Sequence, residues 1–532
     1  MIRTTQFLLS LLLFSFLVSC GAEEDAINPI LDKSLPMKKR IQAFCESDFG
    51  KDLGLTDEQN ELIKKYYINS NFKPFWTNDT ILTAKGKAWS NLEKQPLIIG
   101  MPKNRFIQNS VDSLNKELIV KEIFLTLHFS QLVADMKQGF YDNEKNQLKS
   151  DNLLDEISFK SHYKNVDTVE NVGYWLGSLG PNHLDYRNLA SRIYTTYSNK
   201  NISSKTFEIP EKVKDSANCF KLCKESLIDK GYLSANATNE TDFWNSMAKF
   251  QEDNGMKADG KIGKYTIIAL NESTEHKLER AVLSLERWRW RPKFPERYVW
   301  VNIPEYLLRI YYNDTLYSVH KIVVGKPENK TPQLTSRIRQ IVALPYWTQP
   351  HKIAEEEFLP GMQASSGYAA RHGYRVYRGD VEQDPGSINW KRYKKGNFPF
   401  RIKQDPGEKN ALGLVKFEFN NEYGVYIHDT PQKGFFNRDI RAFSHGCMRC
   451  QDPDSLARFM LRRDEKNKVL PDTLDSLIAR KEHTFISLRK PIDLTVDYIS
   501  VMISPENKLI FYPDVYGRDE EYLVKIRKGN KN

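Results

Sequence analysis

From about Met37 to Ile209, apolar residues recur at helical spacing in otherwise polar text. Leu62, Ile63, Tyr66 and Tyr67 form one such set, and Ile123, Leu125, Leu127, Phe129, Leu132 and Val133 another. Pro74, between Phe72 and Trp76, breaks the pattern as a turn with aromatic anchors. Residues 210–275 predict a compact helical module. Phe243, Met247, Phe250 and Gln251 share one helix face, Asn254-Gly255 ends it, and Asp259-Gly260 and Gly263 turn the chain into a second helix from Tyr265 to Leu270. Beyond Trp288-Arg289-Trp290-Arg291-Pro292 the period changes from helical to alternating. Strands are expected at Tyr298–Ile303, Leu307–Tyr312, Leu316–Val324, Ile338–Leu344, Leu414–Phe419, Gly424–His428, Thr484–Leu488, Tyr498–Ile503 and Lys508–Tyr512. Between Gly361 and Arg401 the alternation lapses into Gly, Tyr, Arg and Lys, the mark of a long insertion. The fold class predicted is multidomain α+β: helical elements first, then a β-rich half built as a sandwich or barrel.

At 532 residues the chain is long enough for about three to four domains. Hydrophobic residues at 40% and charged residues at 27% describe globular protein and exclude disordered or collagen-like chains. The net charge of +10 is not concentrated in any basic block, so no nucleic-acid partner is indicated. At the start, Arg3 precedes an apolar run from Phe7 to Val18. As a helix this run rises about 18 Å, too short for a hydrocarbon core of about 30 Å. A secretory signal over residues 1–19 is the expectation. The remaining cysteines, Cys45, Cys219, Cys223, Cys447 and Cys450, are odd in number, so at least one free thiol is expected.

The chemistry concentrates in Val425-Tyr426-Ile427-His428-Asp429 and Ser444-His445-Gly446-Cys447-Met448-Arg449. A thiol nucleophile needs a base within reach, and an imidazole can take the proton and later return it to a leaving amine. His428 ends an apolar strand, a rigid mount for such a base. Gly446 permits close backbone approach beside Cys447, and consecutive amides there suit a developing oxyanion. Asp452-Pro453 reads as the cap and first turn of a helix through Leu456, Phe459 and Met460. Cys447-x-x-Cys450 has metal-ligand or redox spacing. However, ligation would consume the nucleophile and no His spacing supports it, so no metal is expected. Cys450 reads as a packed apolar residue, with a reversible Cys447–Cys450 disulfide as the minority reading. Cys219 and Cys223 share one helix face as core residues.

These residues carry several resemblances. Leu17-Val18-Ser19-Cys20 is similar to a bacterial lipobox, which implies acylation of Cys20 and a periplasmic protein tethered to membrane, most naturally the outer one. The text KFQEDNGMKADGKIGKYTIIAL resembles a small three-helix peptidoglycan-binding module. His428, fifteen intervening residues and then Ser444-His445-Gly446-Cys447 resemble the signature of the L,D-transpeptidases. LPYWTQPHKIAEEEFLPGM, QDPGEKNALGLVKFEFNN and FYPDVYGRD extend the likeness to the large multidomain members. The resemblance implies a linker at 20–36, a helical scaffold at 37–209, the peptidoglycan-binding module at 210–275 and a linker at 276–296. It further implies a β-sandwich-like catalytic domain at 297–500 with a capping insertion at 362–400, and C-terminal strands at 501–532 packing on it. Cys447 is then the nucleophile and His428 the general base, with an oxyanion hole from the backbone of His445, Gly446 and Cys447. Tyr346 and Trp347 line the donor site, and Arg449 clamps a substrate carboxylate. No cofactor is implied. The partners implied are peptidoglycan stem peptides, the membrane through the lipid anchor, and cell-wall synthases. The activity implied is 3→3 cross-linking with release of D-alanine and sensitivity to carbapenems. Motif residues alone leave open an L,D-carboxypeptidase or murein hydrolase, and a non-catalytic peptidoglycan-binding lipoprotein.

Overall fold

The computed structural model describes residues 28–106, 117–149, 152–166, 172–211, 216–291, 294–313, 315–464 and 469–528. Cys20 and the signal expected at residues 1–19 lie outside the described residues. The chain divides into two compact units. One comprises residues 1–91, 108–131 and 153–167, and the other 92–107, 132–152 and 168–532.

The first unit is helical. It contains α1 (Met37–Cys45), α2 (Asp57–Asn69), α3 (Ala84–Glu93), the start of α4 (Leu118–Gln138) and α5 (Glu156–Val166). Thr56 and Gln59 close a reciprocal capping box at the start of α2, which satisfies two donors that a helix start leaves open. Ile41, Phe44, Ile63, Tyr67, Ile123 and Leu127 form the core. The apolar spacing read at 62–67 and 123–127 therefore corresponds to inward helix faces.

In the second unit, α6 (Ser216–Asp229), α7 (Glu240–Asp253) and α8 (Lys264–Asn271) enclose a separate cluster around Leu227, Phe243, Met247, Phe250 and Leu270. Cys219 and Cys223 belong to that cluster and are free thiols. Residues 276–296 are not a linker. Most of that stretch is α9 (Thr274–Arg289), capped by Ser273 and buried along most of its length. Its arginines are paired inside the protein. Arg280 and Arg287 bind the carboxylate of Asp519, and Arg289 binds Glu286 at 3.1 Å.

The β-rich half runs β1 (Arg297–Asn302), β2 (Leu307–Tyr312), β3 (Thr315–Gly325), β4 (Leu334–Ala343), then an insertion with β5 (Trp347–Thr348), β6 (Tyr374–Arg378), β7 (Val381–Gln383) and β8 (Phe400–Gln404). It continues through β9 (Val415–Phe419), β10 (Ile427–His428), β11 (Ala442–Ser444), β12 (Met448–Cys450), α10 (Pro453–Arg462), α11 (Pro471–Ala479) and β13 (Thr484–Asp497). The main sheet has nine strands in the order β11-β3-β12-β10-β9-β4-β13-β1-β2, and β2 pairs again with β3. That last pairing closes the sheet on itself. The sandwich-like expectation is thus corrected to a closed sheet, because β3 is long enough to serve β2 with residues 315–321 and β12 with Ile322 and Val323. Val301, Ile310, Ile341, Phe417, Ile427 and Met448 lie in its core.

The capping insertion is larger than 362–400. Its own core joins Phe358, Val376, Trp390, Phe400 and Ile402, and its four strands are ordered β5-β8-β6-β7. The C-terminal segment is not only strands. After the hairpin of β14 (Val501–Ile503) and β15 (Leu509–Phe511) it ends in a helix, α12 (Arg518–Lys528), which contacts α9.

Candidate active site

The site is built on two parallel strands. β10 and β12 pair with Ile427 opposite Met448 and His428 opposite Arg449, and the Met448 amide donates to the Tyr426 carbonyl at 3.0 Å. One step back in this register, Tyr426 faces Cys447. Side chains alternate along a strand, so Tyr426, His428, Cys447 and Arg449 share one face. Ile427, Met448 and Cys450 take the other face, where all three are fully buried. This alternation separates the two cysteines of the Cys-x-x-Cys spacing. Cys450 is a free core thiol whose burial pushes its pKa up to about 12, and the disulfide reading is corrected accordingly.

The turn that delivers Cys447 is tied from several sides. Gly446 has φ +114°, a region that L side chains rarely adopt. Its amide donates to Ser444 Oγ at 3.1 Å, and Ser444 Oγ in turn donates to the Cys447 carbonyl at 2.5 Å. The Gly446 carbonyl accepts from buried Thr331 Oγ1 at 2.8 Å, and that same oxygen accepts the Gly325 amide at 2.8 Å. Tyr516 completes the brace, donating to the Gly325 carbonyl at 2.6 Å and accepting the Thr331 amide at 3.2 Å. Neither Thr331 nor Tyr516 was identifiable as a site residue, because the contacts of Thr331 with Gly446 and of Tyr516 with Gly325 and Thr331 cross 115 residues or more. The expected oxyanion contribution of the Gly446 amide is corrected, since that N–H is already committed to Ser444.

Tyr426 is the neighbour whose backbone amide and phenolic hydroxyl act as donors on the Cys447 thiol in setting its pKa. Burial pushes the thiol pKa up, while these two donors and the charges of Lys416 and Arg449 pull it back. The Tyr426 hydroxyl is itself held far above its ordinary range by burial, so it remains a donor, and it accepts a hydrogen bond from Trp347. Lys416 Nζ lies 4.2 Å from the Tyr426 ring centroid. Tyr426 thus belongs to the candidate site, although no role was expected for it from the sequence. Its position two residues before His428 on a strand was the available signal.

His428 is buried, and burial together with the Arg449 charge lowers its pKa to about 3. Its Nδ1 lies 2.5 Å from the Asp429 carbonyl oxygen, which can only accept. The proton therefore sits on Nδ1 and leaves Nε2 as the base. His428 opposes Arg449 rather than Cys447, so base and thiol are diagonal neighbours on the shared face. The Asp429 side chain is fixed by the Leu414 amide at 2.9 Å and by Lys433. Gly413 passes so close to that carboxylate that a Cβ would lie 2.3 Å from it.

Arg449 Nη1 donates to Gln432 Oε1 at 2.6 Å, and the guanidinium lies 5.4 Å from the Phe435 ring centroid. The ring of His445 meets Glu357 of the insertion at 3.2 Å, and burial lowers its pKa. Trp347 joins the cluster through Tyr426. Tyr346 does not: it is exposed and packs edge-on against His483, 5.0 Å between centroids. A cavity of about 780 Å³ is lined by Tyr265, Ile268, Leu283, Phe511 and Leu523 and does not include the cysteine. Among the described residues, no His, Cys, Asp and Glu group has the makings of a metal site.

A thiol, a neutral imidazole and a phenolic donor on one strand face, beside Arg449, suit nucleophilic attack on a carbonyl of an anionic substrate. Comparison with known proteins agrees. Residues 296–470 match the family model of the L,D-transpeptidase catalytic domain (YkuD), and residues 61–192 match the Scaffold domain. A Haemophilus influenzae protein named "Putative L,D-transpeptidase" is 32% identical over 245 residues, covering 46% of this chain and 48% of that protein. The chain thus spans about half the length of this curated relative. An L,D-transpeptidase from Mycobacterium smegmatis is 12% identical, covering 38% of this chain and 58% of that one, with a TM-score of 0.18. The L,D-transpeptidase (Yku) from Stackebrandtia nassauensis is 13% identical, covering 55% and 97%, also with a TM-score of 0.18. The chain carries an L,D-transpeptidase catalytic domain at residues 296–470, and a helical Scaffold domain precedes it.

Proposed function

We propose that this protein is a murein L,D-transpeptidase that forms 3→3 cross-links through a thioester on Cys447. The observation that carries the reading is the shared face of Tyr426, His428, Cys447 and Arg449. In the first half-reaction the Cys447 S–H proton passes to His428 Nε2, and the sulfur attacks the carbonyl of the third, diamino-acid residue of a tetrapeptide stem. The resulting oxyanion takes donors from the amides at His445 and Cys447 and from the Tyr426 hydroxyl, which is released as the sulfur loses its charge. Collapse breaks the peptide bond. D-alanine leaves with the proton from His428, and the thioester remains. In the second half-reaction the side-chain amine of a neighbouring stem attacks the thioester and gives its proton to His428. That proton returns to sulfur as the new amide forms. Arg449 holds a substrate carboxylate. The 210–275 module binds peptidoglycan, acylated Cys20 anchors the protein in the periplasm at the outer membrane, and cell-wall synthases are its partners.

The test is incubation of the full chain with purified disaccharide-tetrapeptide, followed by mass spectrometry. Cross-linked dimer with loss of D-alanine, absent in Cys447→Ala, is the expected result. Tripeptide without dimer would assign an L,D-carboxypeptidase instead. No turnover by protein whose Cys447 still reacts with an alkylating agent would assign a binding role.

A further inference from the structure

Gln349 lies two residues beyond Trp347, where the chain enters the capping insertion. Trp347 pairs with Gln404 and Thr348 with Lys403, and the Gln349 amide extends the ladder by donating to the Ile402 carbonyl at 2.9 Å. Trp347 and Gln349 therefore share a strand face, the one on which Trp347 reaches the Tyr426 hydroxyl beside Cys447. Thr348 points the other way and is exposed. Gln349 is only 4% exposed, yet neither its Oε1 nor its Nε2 has a hydrogen-bond partner. No other carboxamide among the described residues has both atoms buried and unpartnered. The fold satisfies its neighbours. Gln404 donates to the His372 carbonyl at 2.7 Å and accepts the Ala411 amide at 2.8 Å, while Asn410 donates to the Pro345 carbonyl at 3.0 Å and accepts the Leu412 amide at 2.8 Å. A buried amide without partners is costly and rare in a folded protein, so its retention calls for an explanation.

We infer that Gln349 binds a peptide group of the donor stem. A carboxamide offers one donor and one acceptor side by side, which is the complement of a single peptide unit. A carboxylate would satisfy only Nε2 and leave Oε1 unpaired, and the guanidinium of Arg449 is better suited to it. The ligand gains access when the insertion shifts from the catalytic turn. The contacts that hold it there include the polar pairs Glu357–His445 at 3.2 Å and Lys352–Asn329 at 3.1 Å, both partly exposed and therefore weak. This role rests on the transpeptidase reading, because it assigns the donor of that reaction.

The experiment compares the full-length wild type with Gln349→Leu, measuring melting temperature and the kcat and KM for disaccharide-tetrapeptide. A partner-free amide replaced by an apolar side chain of similar size leaves the unliganded protein at least as stable, so the melting temperature holds or rises. The KM rises about ten- to hundredfold with kcat little changed, because the substrate's peptide group loses its partner. Should Gln349→Leu not fold, Gln349→Met, unbranched and closer in shape, carries the same comparison. A variant with a lower melting temperature and wild-type KM would show that the amide is bonded within the protein and would overturn the inference alone. A wild type that neither turns over nor forms a thioester would overturn the transpeptidase reading, and this assignment with it.

Discussion

Tyr426→Phe removes one oxygen atom, and its consequence can be worked out from the contacts of that oxygen. The hydroxyl donates to Cys447 sulfur and accepts from Trp347, while the ring lies under Lys416 Nζ at 4.2 Å. Phenylalanine keeps the ring and its attraction for the ammonium group, so the change isolates the hydroxyl. A hydrogen bond to a charged acceptor contributes about 1.5–3 kcal/mol, and it forms in full only when sulfur is a thiolate. At about 1.4 kcal/mol per pKa unit, its loss raises the Cys447 pKa by about 1–2 units. Near neutral pH the thiolate fraction then falls about ten- to hundredfold. The assay is the pH dependence of iodoacetamide alkylation at Cys447, followed by peptide mass spectrometry. Background from other thiols is small where burial holds them near 12, as for Cys45, Cys223 and Cys450. Cys447→Ala supplies the blank. Superimposable pH–rate profiles for wild type and Tyr426→Phe would refute the assignment of the hydroxyl as a thiolate partner. The backbone amide of Tyr426 would then account for the stabilisation by itself.

Two further outcomes follow from buried groups. Thr331→Val leaves the Gly325 amide and the Gly446 carbonyl without a partner, at a cost of about 2–4 kcal/mol. Urea denaturation should show that loss together with slower Cys447 alkylation, and stability unchanged within error would remove Thr331 from the support of the turn. The second outcome concerns pH. His428 and His183, both buried, have folded pKa values of about 3 against about 6.5 when unfolded. Below about pH 6.5 the unfolded chain binds protons that the folded protein refuses. The stability from these neutral imidazoles is therefore complete above about pH 6.5 and is lost as pH falls towards 3. Between about pH 7.5 and about pH 5 the loss is about 2 kcal/mol for each fully buried ring. His428→Gln should flatten the acid limb of the stability–pH curve, and an unchanged limb would contradict a neutral buried His428.

Much of the site was legible because its chemistry is local in sequence. His428 closes a short apolar strand and Cys447 follows Gly446, so spacing and residue type mark both as candidates. The strands were legible for the same reason: alternation is a property of five or six consecutive residues, as Val415–Phe419 shows. What alternation cannot supply is a partner. Each strand's faces were readable, but the second pairing of β3 with β2, which closes the sheet, depends on residues that meet only after folding. The helix α9 failed for a different reason. The resemblance implies a linker at 276–296, and the burial of its arginines depends on the carboxylates of Glu286 and Asp519, which pair with them only in the folded chain.

The two cysteines at 447 and 450 show how a spacing acquires meaning only from the element that carries it. On a helix, positions three apart lie on one face, and a Cys-x-x-Cys pair can close a disulfide or share a metal. On β12 and the residue before it the period is two, so the same spacing sends one thiol to the site and the other to the core. That period also groups the residues that do act together. Tyr426 precedes His428 by two and Arg449 follows Cys447 by two, and the parallel register sets the two pairs face to face. A strand ending in His, read with its own period, already marks the residue two before it as a neighbour of whatever the imidazole serves. Gln349 stands in the same relation to Trp347, and there the alternation leads to a polar group for which the folded chain supplies no partner.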